Sequence, residues 1–283
     1  MSRSTRRLLS RIILWLGIAV ILVLVLFPFY WMAITSFKDY DQIRSLRTPF
    51  VPNPFTFAGY ESLLVTGKHE FLTWYVNSLQ VALVVTPVTV IASALAAYAL
   101  IRLRFIGAGL LASVILITYL IPGSLLFIPM YQVVKFLGLT GKLQALWVVY
   151  PTFSIPFATW LLMGYVQSIP EDLEQAALID GASRLQVLWR IVAPLMAPAI
   201  LAIVLFTFTG IWNEYLYAFV MISNSSQMTV PVGMTFMIIN DIFMWPDMMA
   251  ASVLITVPVV ILFIYTQRYM VEGLTAGGVK GDV

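Results

Sequence analysis

The residues best suited to chemistry in this 283-residue chain lie in one short segment, residues 168–194. Four of the chain's thirteen acidic residues fall there: Glu171, Asp172, Glu174 and Asp180. Zinc sites and activated nucleophiles draw mainly on histidine and cysteine. Because the chain has no cysteine and one histidine, His69, the sequence predicts no catalytic residue, metal site or bound cofactor.

Two short helices are predicted to carry these acids. Ser168 and Glu171 have the spacing of a capping box. Gly181 suits the end of the first helix, because glycine adopts the left-handed conformation without a steric penalty. Ser183 and Gln186 form a second capping box directly afterwards. Two interpretations remain open: a surface connector between two helices, or a surface that another protein approaches closely.

The second of these helices is predicted to be amphipathic. Leu185, Leu188, Trp189 and Val192 repeat at i, i+3, i+4 and i+7. This pattern predicts one apolar face, with Pro194 marking the entry into the next apolar stretch.

The composition of the whole chain indicates that lipid is its solvent. Hydrophobic residues make up 61% of the sequence and charged residues 10%, and the mean hydropathy is +0.94. Soluble domains are about 45–50% apolar and about 25% charged. These values exclude a disordered chain, a nucleic-acid binder and a soluble enzyme.

The apolar stretches predict an all-α integral membrane protein with six spanning helices, forming a single domain over residues 1–283. A spanning helix needs about 20 mostly apolar residues. Six windows of that length occur, at 12–35, 74–101, 107–131, 143–166, 196–219 and 249–268. A seventh apolar segment, Val230–Phe243, contains proline, glycine, asparagine and aspartate, and its length favours a re-entrant or interfacial segment.

The basic residues predict that both termini lie on the cytoplasmic side. With the N-terminus inside, ten of the sixteen lysine and arginine residues fall on that side. The six on the outer side are Lys38, Arg44, Arg47, Lys68, Lys135 and Lys142. The acidic segment then becomes a cytoplasmic loop, 167–194, between the fourth span and the fifth.

This loop resembles the EAA loop of permease subunits of bacterial ATP-driven (ABC) importers that depend on a binding protein. The matching residues are Ala176, Ala177, Asp180, Gly181 and Ala182, followed by Ile191, Pro194 and Pro198. The C-terminal stretch from Gln267 to Gly281 is similar to the tail of the carbohydrate-uptake branch, specifically the maltose-transporter MalG type. The resemblance implies a multi-pass protein of the bacterial cytoplasmic (inner) membrane.

In that family the loop is the coupling helix, which docks on the ATP-hydrolysing subunit. The resemblance assigns this contact to six residues: Glu174, Gln175, Ala176, Ala177, Asp180 and Gly181. Gln175 departs from the family pattern, which usually has glutamate there. Glutamine keeps the hydrogen-bonding capacity but loses the charge, so an ion pair at this position is not expected.

The chain is expected to rely on a separate ATPase, because no stretch has the glycine–lysine–serine or glycine–lysine–threonine order of a phosphate-binding loop. The resemblance implies that ATP and magnesium bind to a pair of ATPase subunits. It also implies a second permease and an extracytoplasmic solute-binding protein. The family tail (270–283) reaches between the ATPase subunits, which assigns this contact to Gly273, Thr275, Gly277, Gly278 and Lys280.

Polar residues near the fifth span are candidates for a substrate path. Trp212, Asn213, Glu214 and Tyr215 combine aromatic faces with planar polar groups, a combination that binds sugars. The alternative is an interfacial belt of tryptophan and tyrosine around a water-facing carboxylate.

Three other functions compete with a carbohydrate permease. In the first, the chain is an ABC importer permease whose solute is a polyol or a glycerol phosphodiester. In the second the chain is a stand-alone secondary transporter or channel, which predicts buried ion-coupling charges, and Glu214 is the main candidate. An intramembrane enzyme is the third, and it lacks the constellation of residues that catalysis needs.

Overall fold

The computed structural model describes residues 3–67, 70–239 and 242–278, and it divides into two compact units. Unit 1 comprises Met1–Leu72 and Met234–Val257, and unit 2 comprises Thr73–Gly233 and Pro258–Val283. The helices are α1 Arg3–Thr35, α2 Tyr40–Arg44, α3 Ala58–Leu64, α4 Phe71–Arg102, α5 Ala108–Leu120, α6 Phe127–Phe136, α7 Gln144–Ser168, α8 Glu171–Ile179, α9 Arg184–Val187, α10 Ala193–Leu195, α11 Ala197–Trp212, α12 Leu216–Met221, α13 Val230–Gly233 and α14 Trp245–Gly278. The predicted all-α class is confirmed, with one minor addition: β1 Ile238–Ile239 pairs antiparallel with β2 Ile242–Phe243.

Four helices in the described part of the chain are long and apolar enough to cross a membrane: α1, α4, α7 and α14. Their apolar parts coincide with the first, second, fourth and sixth predicted windows. Residues 184–195 and 197–212 make a fifth span if the bent pair is counted as one. The six-span count therefore stays a prediction.

The third predicted window, 107–131, is not one continuous helix. Helix α5 has 13 residues and ends at Leu120, and α6 begins only at Phe127. Pro122 accounts for the break, since a residue that precedes proline is driven out of the helical region. Ile121 is indeed extended, with φ −71° and ψ 123°.

The fifth predicted window is bent at its start and interrupted near its end. The segments before and after Met196 meet at an angle of 80°. Helix α11 stops at Trp212, and the chain resumes as α12 at Leu216. In the seventh apolar segment, residues 230–239 and 242–243 form short helical turns and the two-residue strands, which agrees with its exclusion from the predicted spans.

In unit 1 an aromatic cluster orders the segment that follows α1. The ring of Phe37 stacks on that of Phe55 with centroids 4.5 Å apart, and Phe57 packs edge-on against Phe37. Lys38 is fully buried, and its ammonium group lies 4.2 Å from the centre of the Trp31 ring. This cation–π contact holds the charge of Lys38 against the end of α1.

In unit 2 the core is formed where α4, α7 and α11 pack with the segment between α8 and α11. Small residues on α4, Ala94 and Ala97, are fully buried and allow the close helix approach typical of membrane bundles. The other fully buried core residues are Ala158, Leu162, Val166, Val187, Val192, Met196, Ala199 and Ile203.

Gly233 permits the closest approach in unit 2, and replacing it with alanine is predicted to destabilise the protein. A Cβ atom at Gly233 would lie 2.1 Å from the ring of Trp74, whose Nε1 donates a hydrogen bond to the carbonyl of Ser225. Because the ring is held, Gly233→Ala is expected to cost about 1–3 kcal/mol of stability. Thermal unfolding in detergent measures the loss. The control Gly164→Ala, where nothing lies within 4 Å, should be neutral, and equal melting temperatures for both variants would contradict the packing analysis.

Candidate functional site

One face of helix α8 exposes small and polar side chains. It begins at Glu171, so three carboxylates lie in its first turn, where the helix dipole favours negative charge. Gly181 follows its end with φ +89°, the left-handed conformation predicted for it. Gln175, Ala176, Asp180 and Gly181 are exposed, and Ala177 is half-buried.

Glu174 faces the opposite way from these exposed residues. It is 2% exposed, and its Oε1 lies 2.6 Å from Nε of Arg102, the last residue of α4. The pair is buried on both sides, with side-chain exposures of 5% for Arg102 and 3% for Glu174. Removing one partner of such a buried pair typically costs about 3–5 kcal/mol, because the other charge is left unpaired.

Arg102 also caps the C-terminal end of α7. Its Nη2 donates hydrogen bonds to the carbonyl oxygens of Val166 and Ile169, both at 2.7 Å. The final carbonyls of a helix lack partners within it and favour a nearby cation. One guanidinium therefore joins α4, α7 and α8.

A second ion pair, between Arg104 and Glu171, lies beside the first but differs in exposure. Nη2 of Arg104 is 2.8 Å from Oε1 of Glu171, with side-chain exposures of 74% and 43%. Exposed pairs contribute about 0–1 kcal/mol. Sequence reasoning missed both pairs, because the partners lie about 70 positions apart and no local spacing connects them.

The predicted caps of this loop have different outcomes. The capping box of Ser183 and Gln186 is present. The box of Ser168 and Glu171 is wrong: Ser168 lies in the last turn of α7 and donates to the carbonyl of Tyr165, and Pro170 precedes α8. Helix α7 continues to Ser168, so this residue is not at the start of α8.

The predicted apolar stripe, which starts in α9, is buried at two positions and exposed at two. Leu188 and Val192 are buried, whereas Leu185 and Trp189 are 57% and 41% exposed. Leu185 belongs to α9, and a five-residue π-helix, Leu188–Val192, follows. The wider turn of this π-helix departs from the 3.6-residue period on which the position of Trp189 was predicted.

The glycines of the predicted tail continue the last helix. Gly273, Thr275, Gly277 and Gly278 lie in the final turns of α14, which the structure describes up to Gly278. Lys280 lies outside the described residues.

Unit 2 also contains a cavity of about 450 Å³, and six of its fourteen lining residues are aromatic. Its walls come from α5, α7, α11 and α12 and from the turn after α5. The lining residues are Tyr119, Gly123, Ser124, Tyr150, Phe153, Ser154, Phe157, Phe206, Thr207, Gly210, Ile211, Glu214, Leu216 and Tyr217.

Glu214 is the acidic residue of this lining and caps α12. Its Oε1 accepts a hydrogen bond from the amide of Tyr217 at 2.9 Å, and its Oε2 accepts from the amide of Ala218 at 3.2 Å. The hydroxyl of Tyr150 donates to Oε2 at 2.7 Å. The hydroxyl of Tyr217 in turn donates to the carbonyl of Gly123. Glu214 therefore closes the gap between α11 and α12 and ties it to α7.

The other predicted path residues do not line the cavity. Trp212 is 1% exposed, stacks on Phe208 and meets Tyr75 edge-on. The amide of Asn213 donates to the carbonyl of Thr209, and the ring of Tyr215 stacks on Phe219. The structure thus brings Glu214 alone, of these four residues, to the cavity.

Sequence reasoning missed the aromatic residues of α7 that line the cavity together with Glu214. Tyr150, Phe153 and Phe157 are spaced at i, i+3 and i+7, so one face of the helix carries all three. That spacing was available as a signal, but it does not say which helix the face meets.

Residues 74–274, more than half of the chain, match the family described as the binding-protein-dependent transport system inner membrane component. The chain belongs to this family. The resemblance that the coupling loop and tail carry is therefore confirmed.

Relatives of nearly the same length are permease proteins of ABC transporters and related transport systems. The chain is 36% identical to the inner membrane ABC transporter permease protein YcjP of Escherichia coli (strain K12), over 98% of this chain and 99% of that protein. It is also 36% identical to the trehalose/maltose transport system permease protein MalG of Thermococcus litoralis, over 97% and 98%. The sulfoquinovosyl glycerol transport system permease protein SmoH of Agrobacterium fabrum is 36% identical over 94% and 93%.

A solved structure shares the fold. A chain of a bacterial ABC transporter involved in the import of the acidic polysaccharide alginate superposes with a TM-score of 0.81 at 24% sequence identity, covering 95% of this chain and 98% of that one.

Replacing Glu214 by alanine is predicted to destabilise the α11–α12 junction. The change removes the acceptor for two amides and for the Tyr150 hydroxyl, which is expected to cost about 1–3 kcal/mol. Thermal unfolding of the purified protein measures it. Asn213→Ala, which removes one local bond at an exposed residue, serves as control and should stay within about 0.5 kcal/mol of the parent. A Glu214→Ala protein as stable as the control would contradict the capping role.

Proposed function

We propose that this chain is a permease subunit of an ATP-driven, binding-protein-dependent carbohydrate importer of the bacterial cytoplasmic membrane. It forms half of the translocation path. The other half is a second permease, ATP is hydrolysed by two separate ATPase subunits, and a solute-binding protein delivers the substrate. The observation that carries the proposal is the match to the family over residues 74–274, together with full-length similarity to a trehalose/maltose permease.

The exposed face of α8 is the proposed contact with the ATPase. Gln175, Ala176, Asp180 and Gly181 are accessible on this face. Small residues allow a partner backbone to approach closely, and the polar groups at the helix end meet hydrogen-bonding groups in a socket. Ala177 lies at its margin. Glu174, pointing inward, holds the helix from behind instead of touching the partner.

The C-terminal tail is proposed as a second contact. Gly273, Thr275, Gly277, Gly278 and Lys280 reach between the ATPase subunits, where glycine permits close backbone approach. With both termini and α8 on the cytoplasmic side, six spans complete the topology. The short α5 and the broken α11–α12 segment count as the third and fifth spans, and their unpaired backbone groups face protein or a wet path instead of lipid.

The aromatic cavity is proposed as part of the substrate path. Aromatic rings cover the C–H faces of a sugar ring, and the cavity places Phe153, Phe157 and Tyr119 around a volume of about 450 Å³. Ser124 and Ser154 offer hydroxyl groups to the sugar. The carboxylate of Glu214 already accepts hydrogen bonds from Tyr150, Tyr217 and Ala218. It is therefore proposed to shape one end of the cavity and not to couple transport to an ion.

Transport depends on the α8 contact with the ATPase and on the aromatic cavity, which act in turn. ATP and the loaded binding protein favour the outward-facing state, and hydrolysis returns the permease to the inward-facing state. A change in the ATPase reaches the spans through α8. The chain itself performs no covalent chemistry.

Two alternatives differ in the solute or in the energy source. The similarity to a sulfoquinovosyl glycerol permease favours a glycerol-linked or polyol-like solute as the second candidate. A stand-alone secondary transporter would accumulate its solute without ATP, and purification of an active chain without an ATPase would establish it.

The proposed ATPase contact on the exposed face of α8 predicts that Gln175→Ala impairs the stimulation of ATP hydrolysis. In the assembled complex, reconstituted in proteoliposomes, ATP hydrolysis stimulated by loaded binding protein should fall several-fold, because the contact loses one hydrogen-bonding side chain worth about 1 kcal/mol. Gln167→Ala, the same change at an exposed position of α7, is the control and should leave stimulation intact. Unchanged stimulation in the Gln175→Ala complex would overturn the assignment of this residue.

The cavity predicts a defect in substrate handling for Phe157→Ala. Loss of one stacking face should raise the sugar concentration for half-maximal uptake by about tenfold or lower the maximal rate, without changing the basal ATPase rate. Phe136→Ala, at a side chain that is 89% exposed, is the matched control. Uptake kinetics equal to those of the parent would remove the cavity from the path.

A further inference from the structure

We infer that the buried pair of Arg102 and Glu174 is a positioning lock, which makes the coupling helix move as one body with the adjacent ends of α4 and α7. The inference rests on the proposed function, because it gives these residues a part in transmitting ATPase motion. Neither residue touches substrate or nucleotide in this account. Both act by holding α8.

The geometry gives Arg102 three attachments that fix its orientation. Its Nε bonds Glu174 of α8 at 2.6 Å, and its Nη2 bonds two carbonyl oxygens at the end of α7. The guanidinium is planar and rigid, so bonds on two of its edges leave little freedom to rotate. A displacement of Glu174 is therefore passed to α4 and α7 together.

The surroundings of the pair keep water away from it. Tyr98, one helical turn before Arg102 on α4, is 4% exposed, and its hydroxyl lies beside Glu174 and Arg184. Within the described residues, neither this hydroxyl nor Oε2 of Glu174 has a hydrogen-bond partner. In such a low-dielectric site the Arg102–Glu174 attraction is much stronger than at the surface.

The neighbouring pair of Arg104 and Glu171 provides a comparison within the same protein. It joins Arg104, in the connection after α4, to the same helix, and both of its side chains are substantially exposed. Oε1 of Glu171 also lies 3.7 Å from Nη1 of Arg102, so a change at Arg104 removes the exposed pair alone, whereas a change at Glu171 would also affect Arg102. Water screens the charges of the exposed pair, and exposed pairs hold their partners weakly. If ion pairing in general positioned α8, both pairs would matter. The inference assigns the role to the buried pair.

The test measures how many solute molecules enter per ATP hydrolysed in the reconstituted complex. Glu174→Gln removes the charge but keeps the shape of the side chain. Because a charge-assisted hydrogen bond is roughly twice as strong as a neutral one, the ratio should fall about fivefold. Arg104→Gln, which removes the exposed pair without changing either residue of the buried one or Glu171, is the matched control and should retain the parent ratio.

A second variant separates positioning from folding. Arg102→Lys keeps a cation beside Glu174 but loses the planar fork, so it cannot bond Glu174 and the two α7 carbonyls in the same geometry. This variant should assemble yet show a fall in ratio. A merely structural role would lower the amount of complex and leave the ratio of the surviving complex untouched. A parent-like ratio in both variants would overturn the inference.

Hydrogen exchange on the detergent-solubilised chain tests the lock without any partner. Amides of residues 171–182 should exchange about fivefold faster in Glu174→Gln than in the parent or in Arg104→Gln. Equal exchange in all three proteins would contradict the lock. A parent chain that binds no ATPase would refute the proposed function instead, and the exchange result would still decide whether α8 is held by this pair.

Discussion

The contact on which the arrangement of α4, α7 and α8 depends is the buried guanidinium of Arg102. It satisfies carbonyls that α7 leaves unpaired at its end, and it neutralises a carboxylate that α8 places in the interior. Without Arg102 the chain would bury an unpaired charge and two unpaired carbonyls, each of which is costly. Helix α8 is consequently held on its inner side, and its outer face remains free.

The same requirement, that buried polar groups find partners, explains the broken helices of unit 2. The chain is interrupted near Pro122 and again between Trp212 and Leu216. At the second break the carboxylate of Glu214 accepts the first free amides of α12, and Tyr217 reaches the carbonyl of Gly123 at the first break. Side chains at the second break therefore bond backbone groups at both breaks, and α7 adds the hydrogen bond from Tyr150 to Glu214. Because these backbone groups have partners, irregular backbone is possible within an apolar sequence. The aromatic cavity lies where these breaks meet.

The sequence predicted features that depend on composition and local pattern. The long apolar helices, the position of α8, the glycine at its end and the capping box at Ser183 all follow from neighbouring residues, and the structure contains them. The loop and tail motifs also identified the family. By contrast, the π-helix after Val187 departs from the 3.6-residue period, and Trp189 within it is exposed while Leu188 and Val192 are buried.

Features that depend on tertiary packing could not be predicted in this way. Nothing in the residues around Glu174 indicates that it faces Arg102, 72 positions earlier, rather than a partner protein. Trp212 and Glu214 are two residues apart, yet one is buried in the core and the other lines the cavity. Local spacing can suggest which residues form a site. Tertiary packing determines which of their side chains point into that site.

The central claim, that α8 is the surface through which this permease meets its ATPase, has a direct test. The chain has no cysteine, so a single introduced cysteine is the one thiol that this chain contributes. In the complex isolated from membranes, Ala176→Cys on the exposed face of α8 should give a cross-linked product with the ATPase subunit when a short thiol-to-amine reagent is added. Leu46→Cys, at an exposed position after α2, should give none. An Ala176→Cys complex that contains the ATPase but yields no such product would contradict the account.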